Sequence, residues 1–365
     1  MGHDPAVNQF EALLREHVDL APLTTLRVGG EARFFAEVDS SDQLLAGIRW
    51  AAGQGLQMFV LGGGSNIIVS DRGFPGLVMR IGISGIQVQP GIGGSMLLTA
   101  GAGEQWDDVV KRAVGQNLAG LECLSGIPGS VGATPIQNVG AYGQEISETM
   151  VRLAALDTVA GDIAIIESTE CDFGYRTSRF KTTDKGRFII TSVTYRLHLD
   201  GEPAVRYEEL RRYLEERGRP RPTLAETREA VLTIRRAKAM VIDPADPDSR
   251  SVGSFFVNPV VTPATLRQIE KRLIGESAKS GTMPSFATQG GLIKLSAGWL
   301  IERAGFARGY RYGRVGVSSK HPLAIVAGEG GTAAEIMELA GKIQERVWDA
   351  FGVRLVAEPT FVGLE

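Results

Sequence analysis

The sequence predicts an α+β fold made of more than one packed unit. Helical and strand-like hydrophobic patterns follow one another along the chain, and glycines cluster in short runs between apolar segments. Such clusters indicate tight turns and close backbone approaches. The 365 residues also exceed the usual range of about 100–200 residues for a single domain. We therefore expect two or three units, each with its own core.

The first third of the chain mixes helices with short buried strands. Residues 42–54 carry apolar side chains at helical spacing behind a serine cap at Ser40 and Ser41. Residues 105–116 show the same periodicity, and their predicted inward face is Trp106, Val109, Val110 and Ala113. Apolar runs predict strands at residues 58–61, 66–70, 76–81 and 96–100.

The rest of the chain changes from strands to helices. Residues 151–199 indicate a sheet-rich unit, whose clearest strand places on one face Ile189, Thr191, Val193, Tyr195 and Leu197. The polar, proline-bearing stretch 216–223 predicts a linker before a helix at 224–238. The strongest helical period spans 332–351, with a predicted inward face of Ile336, Leu339, Ala340, Ile343, Val347, Trp348 and Phe351. A closing strand is predicted at 353–362.

Composition excludes several classes of protein. The 39 Lys and Arg residues nearly balance 42 Asp and Glu residues, so no global field would attract nucleic acid or an anionic membrane. The two cysteines, Cys123 and Cys171, are too few for a disulfide framework and lack zinc-site spacing. No secretory signal or long apolar stretch is readable. We expect a cytoplasmic protein without a metal site.

A first glycine loop lies between two apolar strands and consists of Leu61, Gly62, Gly63, Gly64, Ser65 and Asn66. Its three glycines let backbone amides approach a ligand, and the two polar side chains can donate to phosphate oxygens. The loop lacks the lysine of a P-loop and the spacing of a Rossmann fingerprint. An ordinary glycine turn is an equally good interpretation of these residues alone.

A second glycine loop spans 126–143 and combines glycines and prolines with polar and aromatic side chains. The residues expected to bind a planar heterocycle are Gly126, Ile127, Pro128, Gly129, Gly132, Ala133, Gln137, Asn138, Gly140, Ala141, Tyr142 and Gly143. The amides would supply directional hydrogen bonds, and the tyrosine an aromatic face. A purely structural loop is the alternative.

Together the two loops resemble the flavin-binding loops of the UDP-N-acetylenolpyruvoylglucosamine reductase (MurB) family. Further segments resemble that family in the same order: 24–30, 173–181, 253–259 and 357–359. The resemblance implies an FAD-binding fold of the p-cresol methylhydroxylase and vanillyl alcohol oxidase type in two subdomains, plus an α+β substrate-binding domain. The predicted division is 1–84 and 85–220 (completed by 345–365) for the FAD-binding subdomains and 221–344 for the substrate-binding domain.

The resemblance also implies a reaction and its ligands. NADPH would reduce a non-covalently bound FAD, and the reduced flavin would pass hydride to the enolpyruvyl ether of UDP-N-acetylglucosamine-enolpyruvate. The product would be UDP-N-acetylmuramate, a peptidoglycan precursor. Both nucleotides would use one site in turn, which predicts ping-pong kinetics.

Three catalytic residues follow from the resemblance. Arg176 would pair with the carboxylate and its enolate form, Ser254 would protonate the carbanionic carbon, and Glu358 would be a second hydrogen-bond donor. From composition alone, other interpretations stay open. Arg176 also suits a surface ion pair, Ser254 a cap or turn, and Glu358 a solvated strand end.

The residues expected to bind substrate are Tyr175, Tyr207, Lys238 and Asn258. An ammonium group suits the diphosphate oxygens of either nucleotide. Tyr207 precedes a predicted helix, so it lies either on a mobile lid or in a core.

Two rival functions remain. One is a flavin oxidase with covalently attached FAD, but His3, His17, His198 and His321 all lie outside the two glycine loops. The other is a non-catalytic flavin-binding module, which would not need the three catalytic candidates together.

Overall fold

The computed structural model of the chain describes residues 5–274 and 283–364, so His3 lies outside the described residues. The helices are α1 (Pro5–Glu11), α2 (Ser41–Gly53), α3 (Trp106–Gly115), α4 (Glu208–Glu215), α5 (Leu224–Ala237), α6 (Pro263–Ile274), α7 (Ala297–Arg303) and α8 (Ala333–Phe351). Within the described ranges, no helix has the length and apolar character needed to cross a membrane.

The strands before α4 are β1 (Arg15–Asp19), β2 (Glu31–Val38), β3 (Met58–Leu61), β4 (Ile67–Val69), β5 (Phe74–Ile81), β6 (Ile86–Pro90), β7 (Ser95–Gly101), β8 (Leu118–Ala119), β9 (Gly140–Ala141), β10 (Gln144–Glu145), β11 (Met150–Asp157), β12 (Ile163–Glu167) and β13 (Phe188–Leu199). The later strands are β14 (Val260–Val261), β15 (Ser285–Ala287), β16 (Ile293–Leu295), β17 (Arg311–Tyr312), β18 (Val315–Val317), β19 (Ile325–Ala327) and β20 (Thr360–Val362).

The chain divides into two compact units. Unit 1 comprises Met1–Asp19, Glu31–Gly64 and Phe74–Val241, and unit 2 comprises Leu20–Gly30, Ser65–Gly73 and Ile242–Glu365. Two short segments from the first third of the chain therefore belong to unit 2.

Two sheets of unit 1 share one hydrophobic core, and β9 and β10 form a separate antiparallel pair. The first has the order β1-β2-β5-β3, in which β2, β5 and β3 run parallel. The second is antiparallel, with the order β12-β11-β13-β7-β6 and β8 paired to β13. The predicted inward faces of α3 and β13 are buried, and the rings of Trp106 and Tyr195 lie 5.6 Å apart in this core. The Ser40 side chain caps α2, as predicted.

Unit 2 is built from small sheets packed against helices. Its sheets have the orders β14-β16-β15 and β17-β18-β19, and β20 pairs in parallel with β4. The start of α8 is capped from within the unit, because Asp71 accepts hydrogen bonds from Ala333 N (2.8 Å) and Ala334 N (2.9 Å). The side chain of Thr332 caps the same helix.

Two predictions about the C-terminal region are wrong in detail. Trp348 is 47% exposed, whereas the other predicted inward residues of α8 are buried. It follows Val347 directly, and a step of one residue turns a helical side chain about 100° away from the inward face. Only 360–362 of the predicted strand 353–362 forms a strand, and Pro359, which has no N–H, precedes it.

The two-unit division differs from the predicted three-part division in three places, and the first is the presence of 20–30 and 65–73 in unit 2. Helix α5 belongs to unit 1, where Arg228 makes a two-point ion pair with Asp107 of α3. Residues 345–351 continue α8 and belong to unit 2. The finer division into two FAD-binding subdomains and a substrate-binding domain stays a prediction.

Candidate active site

The two glycine loops contact one another in unit 1. A Cβ atom added to Gly63 would lie 2.5 Å from the Cα of Gly129 and 2.9 Å from the nitrogen of Ser130. One added to Gly62 would lie 2.6 Å from the Ser130 Oγ. Such approaches leave no room for a side chain. The loops therefore meet backbone to backbone and form one surface.

The second glycine loop is fixed to the start of α3. Trp106 N donates a hydrogen bond to Gly129 O at 2.9 Å. At the beginning of the loop, Gly126 has a φ of +71°, which favours glycine. Its nitrogen donates to Asp107 Oδ1 at 2.5 Å, and the same carboxylate receives two hydrogen bonds from Arg228, at 2.6 and 2.7 Å. One carboxylate thus joins the loop to two helices.

The charge of Asp107 is stabilised in this position. Burial raises the pKa of its carboxyl group, but the hydrogen bonds from Arg228 and from Gly126 N lower it by more. The pKa of Asp107 therefore lies below its ordinary value, and the group is ionised at neutral pH.

The turn that carries Arg176 is attached to the second glycine loop. Asn138 Nδ2 donates to Gly174 O at 3.1 Å, and Ser178 Oγ donates to Ile136 O at 2.7 Å. Arg176 itself has a φ of +55°, an uncommon value for a residue with a side chain. Anchors on both sides of Arg176 thus hold its backbone in a strained conformation beside the loop.

The Asn138 side chain is occupied by protein contacts. Besides Gly174, its Nδ2 donates to Glu145 Oε2 at 2.7 Å, and its Oδ1 accepts from Ser147 N at 3.2 Å. The residue is only 1% exposed. Asn138 therefore shapes the loop and positions the Arg176 turn, a role that the sequence did not indicate.

A buried guanidinium lies beside the second loop. Arg235 of α5 is 5% exposed, and one of its terminal nitrogens donates to Met240 O at 2.7 Å. Among the buried side-chain nitrogen and oxygen atoms of residues 5–274 and 283–364, its Nε is the one without a hydrogen-bond partner. A Cβ added to Gly126 would lie 3.5 Å from that atom. Burial lowers the pKa of Arg235, and the charge of Arg176 acts in the same direction.

Three residues predicted to bind substrate lie in unit 1. Tyr207 precedes α4, is 47% exposed and packs its ring edge-on against Tyr142, with the ring centres 5.6 Å apart. Burial raises the pKa of Tyr142 to about 12, so its phenol keeps its proton. Lys238 is the C-cap residue that follows α5, and its Nζ donates to Glu209 Oε2 at 2.6 Å. Tyr175 is exposed.

Ser254 and Glu358 lie on adjacent extended segments of unit 2. Glu358 N donates to Phe255 O at 2.9 Å, and Val257 N donates to Val356 O at 3.0 Å. These bonds align the two segments as in a short antiparallel ladder. The segments that carry these two catalytic candidates, which are far apart in sequence, therefore lie side by side.

The second half of the first glycine loop joins the same cluster, because the division between the units falls just before Ser65. Asn66 Nδ2 donates to Glu358 O at 3.5 Å. The Thr25 hydroxyl lies 2.8 Å from Ser251 O and 3.4 Å from Ser65 O. The predicted segments 24–30, 253–259 and 357–359 therefore meet within unit 2.

The side chains of Ser254 and Asn258 each contact another element of unit 2. Ser254 Oγ lies 3.2 Å from the Nε2 of His321, a residue that the sequence did not single out. Asn258, predicted to bind substrate, accepts a hydrogen bond at its Oδ1 from Ala297 N at 2.9 Å. It therefore supports the start of α7.

The candidates fall into two groups. The group in unit 1 contains the glycine loops up to residue 64 and 126–143, with Arg176, Tyr175, Tyr207 and Lys238. The group in unit 2 contains Ser65, Asn66, Ser254, Asn258 and Glu358. The convergence of Arg176 with Ser254 and Glu358 stays a prediction. Sequence reasoning missed Arg235 and His321. One feature of the sequence could have pointed to Arg235, because it precedes the predicted ligand-binding residue Lys238 by about one helical turn. Nothing in the sequence links His321 to Ser254.

Comparison with known proteins identifies relatives over almost the whole chain. The profile of the FAD binding domain family matches residues 32–165, and that of the UDP-N-acetylenolpyruvoylglucosamine reductase C-terminal domain matches 244–362. The UDP-N-acetylenolpyruvoylglucosamine reductase of Thermobifida fusca is 43% identical over 349 residues, which is 95% of this chain and 98% of the relative. That of Nocardia farcinica is 44% identical over 360 residues, 97% of this chain and 91% of the relative.

A solved structure shares the fold. The crystal structure of the Thermus caldophilus enzyme of the same name superimposes with a TM-score of 0.63 at 24% identity, over 96% of this chain and 99% of that chain. Together with the match to the FAD binding domain family, this confirms the predicted FAD-binding α+β fold.

Proposed function

Because this chain belongs to the UDP-N-acetylenolpyruvoylglucosamine reductase family, we propose that it reduces the enolpyruvyl ether of UDP-N-acetylglucosamine-enolpyruvate to UDP-N-acetylmuramate. FAD is the cofactor and NADPH the reductant, and the reaction belongs to cytoplasmic peptidoglycan precursor synthesis. The observation that carries the proposal is the 43% identity to a reductase of that name over nearly the full length of both chains.

The residues of unit 1 fit a bound flavin nucleotide. The two glycine loops expose backbone where a Cβ at Gly63 would collide with Gly129, so amides are accessible and side chains are excluded. The buried Nε of Arg235 offers an N–H that an acceptor of the cofactor would satisfy. Bound FAD supplies hydride transfer between the two substrates, chemistry that no amino-acid side chain provides.

The substrate's own chemistry defines what the remaining residues do. Hydride adds to the terminal carbon of the enolpyruvyl group and a proton adds to the carbon beside the carboxylate, so negative charge develops there. Arg176 pairs with the carboxylate through its guanidinium fork. Ser254 donates its hydroxyl proton to the carbanionic carbon, and Glu358, on the adjacent segment, hydrogen-bonds to the enolate.

Lys238 and Tyr207 bind the nucleotide part of the substrate. Lys238 already makes a 2.6 Å contact with the carboxylate of Glu209, and a diphosphate would replace that carboxylate as its anionic partner. Tyr207 is exposed beside Tyr142 and offers an aromatic face to the ligand. Lys238 would bind the diphosphate of either substrate in turn, and such a shared site predicts ping-pong kinetics.

The cysteines do not favour a covalent flavin. Both Cys123 and Cys171 are buried, and burial raises the pKa of the Cys123 thiol. Burial also raises the pKa of the Cys171 thiol, to about 12. Attachment requires the thiolate as nucleophile, which neither site stabilises.

An anaerobic absorption experiment tests the proposal. Protein loaded with FAD is expected to lose its flavin absorbance when NADPH is added and to regain it when UDP-N-acetylglucosamine-enolpyruvate follows. A protein that cannot bind FAD, or whose reduced flavin is not reoxidised by that compound, would overturn the proposed function.

A second experiment tests the role of Arg235. We expect Arg235→Met to weaken FAD binding by about ten- to hundredfold, the range for losing a charge-assisted hydrogen bond. The matched control is Arg236→Met, because Arg236 lies in an exposed ion pair with Glu229. Equal FAD dissociation constants for the two variants would contradict the assignment of Arg235 to the cofactor.

A further inference from the structure

Ser254 and His321 are held together by the backbone of unit 2. The two side chains approach to 3.2 Å between Oγ and Nε2. Next to them, Phe255 N donates to Leu323 O at 2.8 Å. The backbone of the fold therefore brings the segments of the two residues side by side.

The turn that carries His321 is itself anchored to a buried carboxylate. Asp248 Oδ2 accepts hydrogen bonds from Ser318 Oγ (2.9 Å), Ser319 N (2.8 Å) and Ser319 Oγ (2.7 Å). The Ser318 Oγ in turn accepts from His321 N at 3.2 Å. Burial raises the pKa of Asp248, but these hydrogen bonds lower it by more, so the carboxylate stays ionised. The turn that carries the imidazole is thus held by an ionised carboxylate that accepts three hydrogen bonds.

The protonation of His321 decides which way the Ser254 hydroxyl points. If Nε2 lacks a proton, the serine hydroxyl donates to it, and its only hydrogen is occupied. If Nε2 carries a proton, the imidazole donates to Oγ, and the serine hydrogen is free for another acceptor. An imidazolium always donates from Nε2 and also makes the serine a stronger acid.

We propose that His321 is the positioning residue that directs the Ser254 proton toward the substrate and replaces it after transfer. This inference rests on the proposed reductase function. As the Ser254 O–H bond breaks and the C–H bond forms, the Nε2–H proton of the His321 imidazolium moves to Oγ and restores the hydroxyl. The neutral imidazole then takes a proton from solvent. Each turnover consumes one solvent proton and one hydride, as the reduction requires.

Charged groups lie on the segments around His321. Asp248 supports its turn from one side, and Glu358 lies on the segment hydrogen-bonded to that of Ser254. Lys320 precedes the histidine, but its Nζ is paired with Asp246 at 2.7 Å. Asp248, Glu358 and the Lys320–Asp246 pair are therefore charged groups on the segments around the imidazole.

The test measures the reoxidation step alone. Enzyme loaded with FAD and reduced by NADPH is mixed anaerobically with UDP-N-acetylglucosamine-enolpyruvate, and the return of flavin absorbance is followed between about pH 5.5 and 9, the range that contains histidine titration. The wild-type rate is expected to fall as pH rises through the pKa of His321. His321→Gln, which keeps a donor but cannot titrate, is expected to react about ten- to hundredfold more slowly with a flat pH profile.

Three further measurements separate proton supply from folding. The rate of flavin reduction by NADPH is expected to be the same in both proteins, and added imidazole is expected to accelerate reoxidation of His321→Ala. His198→Gln, at an exposed position on β13, is the matched control and should keep the wild-type profile. The inference is overturned if His321→Gln keeps the wild-type rate and pH profile. If the wild type itself is not reoxidised, the proposed function fails instead.

Discussion

The glycine loops of unit 1 and the Ser254 cluster of unit 2 are built in opposite ways. Each loop is one continuous stretch of sequence, and the two meet through backbone atoms, with glycines where a Cβ would collide. The cluster joins the side chains of Ser254 and His321 and the backbone of Glu358, which come from three separate segments. The comparison shows that a backbone-lined surface can be recognised from local composition, whereas a side-chain cluster depends on long-range pairing.

The largest effect on the reaction rate is expected from a substitution in the Ser254 cluster, which should not change FAD binding by the glycine loops. We expect Ser254→Ala to slow reoxidation of the reduced flavin by about a hundredfold or more, because a positioned proton donor contributes about 10²–10⁴ in rate. FAD content and the rate of reduction by NADPH should not change. Stopped-flow absorbance measures both steps. Ser285→Ala, at an exposed position in unit 2, is the control, and loss of FAD from Ser254→Ala would break the separation between the two regions.

The next largest effect should come from the loops. Gly63→Ala would force a Cβ to within 2.5 Å of Gly129 Cα, and overpacking of this kind costs about 1–3 kcal/mol. We expect FAD affinity to fall by about ten- to hundredfold, measured by titrating apoprotein with FAD. Gly53→Ala is the control, because a Cβ there meets nothing within 4 Å. Unchanged affinity in Gly63→Ala would show that the loops can separate without cost.

A smaller effect is expected from the support of the second loop. Asp107→Asn should lower unit 1 stability by about 1 kcal/mol, since the ion pair with Arg228 is partly screened by solvent. The lowered pKa of Asp107 sets the sign of the pH dependence. Its contribution is present above the ordinary pKa of about 3.9 and is lost as pH falls through the lower folded value.

Chemical denaturation at neutral and acidic pH checks this sign. The stability difference between wild type and Asp107→Asn should shrink on acidification, whereas the exposed neighbour Asp108→Asn should show little difference at either pH. A difference that grows at acidic pH would contradict the assigned role of the carboxylate.

The smallest effect is expected from removing one helix cap in each unit, which should change only the free energy of unfolding. Thr332→Ala removes a side-chain cap of α8 in unit 2, and Thr223→Ala removes the corresponding cap of α5 in unit 1. Each should cost about 1 kcal/mol, and less at α8 because Asp71 also accepts from its first amides. Thermal unfolding followed by circular dichroism measures both. Equal or larger destabilisation by Thr332→Ala would argue against a capping contribution from Asp71.

Local patterns predicted much of the fold, because the residues that define each element are close together in sequence. Strand 58–61 and helix α3 were predicted within a residue or two, since burial of one face imposes a short period. The prediction that Trp348 faces inward was wrong, because a large apolar side chain at the edge of a helical face satisfies the pattern without being buried. The placement of 65–73 in unit 2 could not be predicted, because it depends on pairing between β4 and β20.

The site was predictable to different depths. The glycine loops were found from composition, but the occupation of the Asn138 side chain by Glu145, Gly174 and Ser147 was not. Arg235 looked like any other basic residue of a helix until its burial was known. His321 follows a lysine in a serine-rich turn, and only the register between that turn and the Ser254 segment gives it a partner.

The parallel pairing of β4 with β20 has a consequence for protein synthesis. Strand β4 leaves the ribosome roughly 300 residues before its partner, which at about 5–20 residues per second is a delay of about 15 to 60 seconds. During that time the apolar segment 67–69 lacks its partner strand β20. Asp71 likewise lacks the first amides of α8, to which it is hydrogen-bonded in the folded protein. Completion of unit 2 must therefore wait until residues 360–362 have been synthesised, and nascent chains stalled before 360 should remain sensitive to protease in this region.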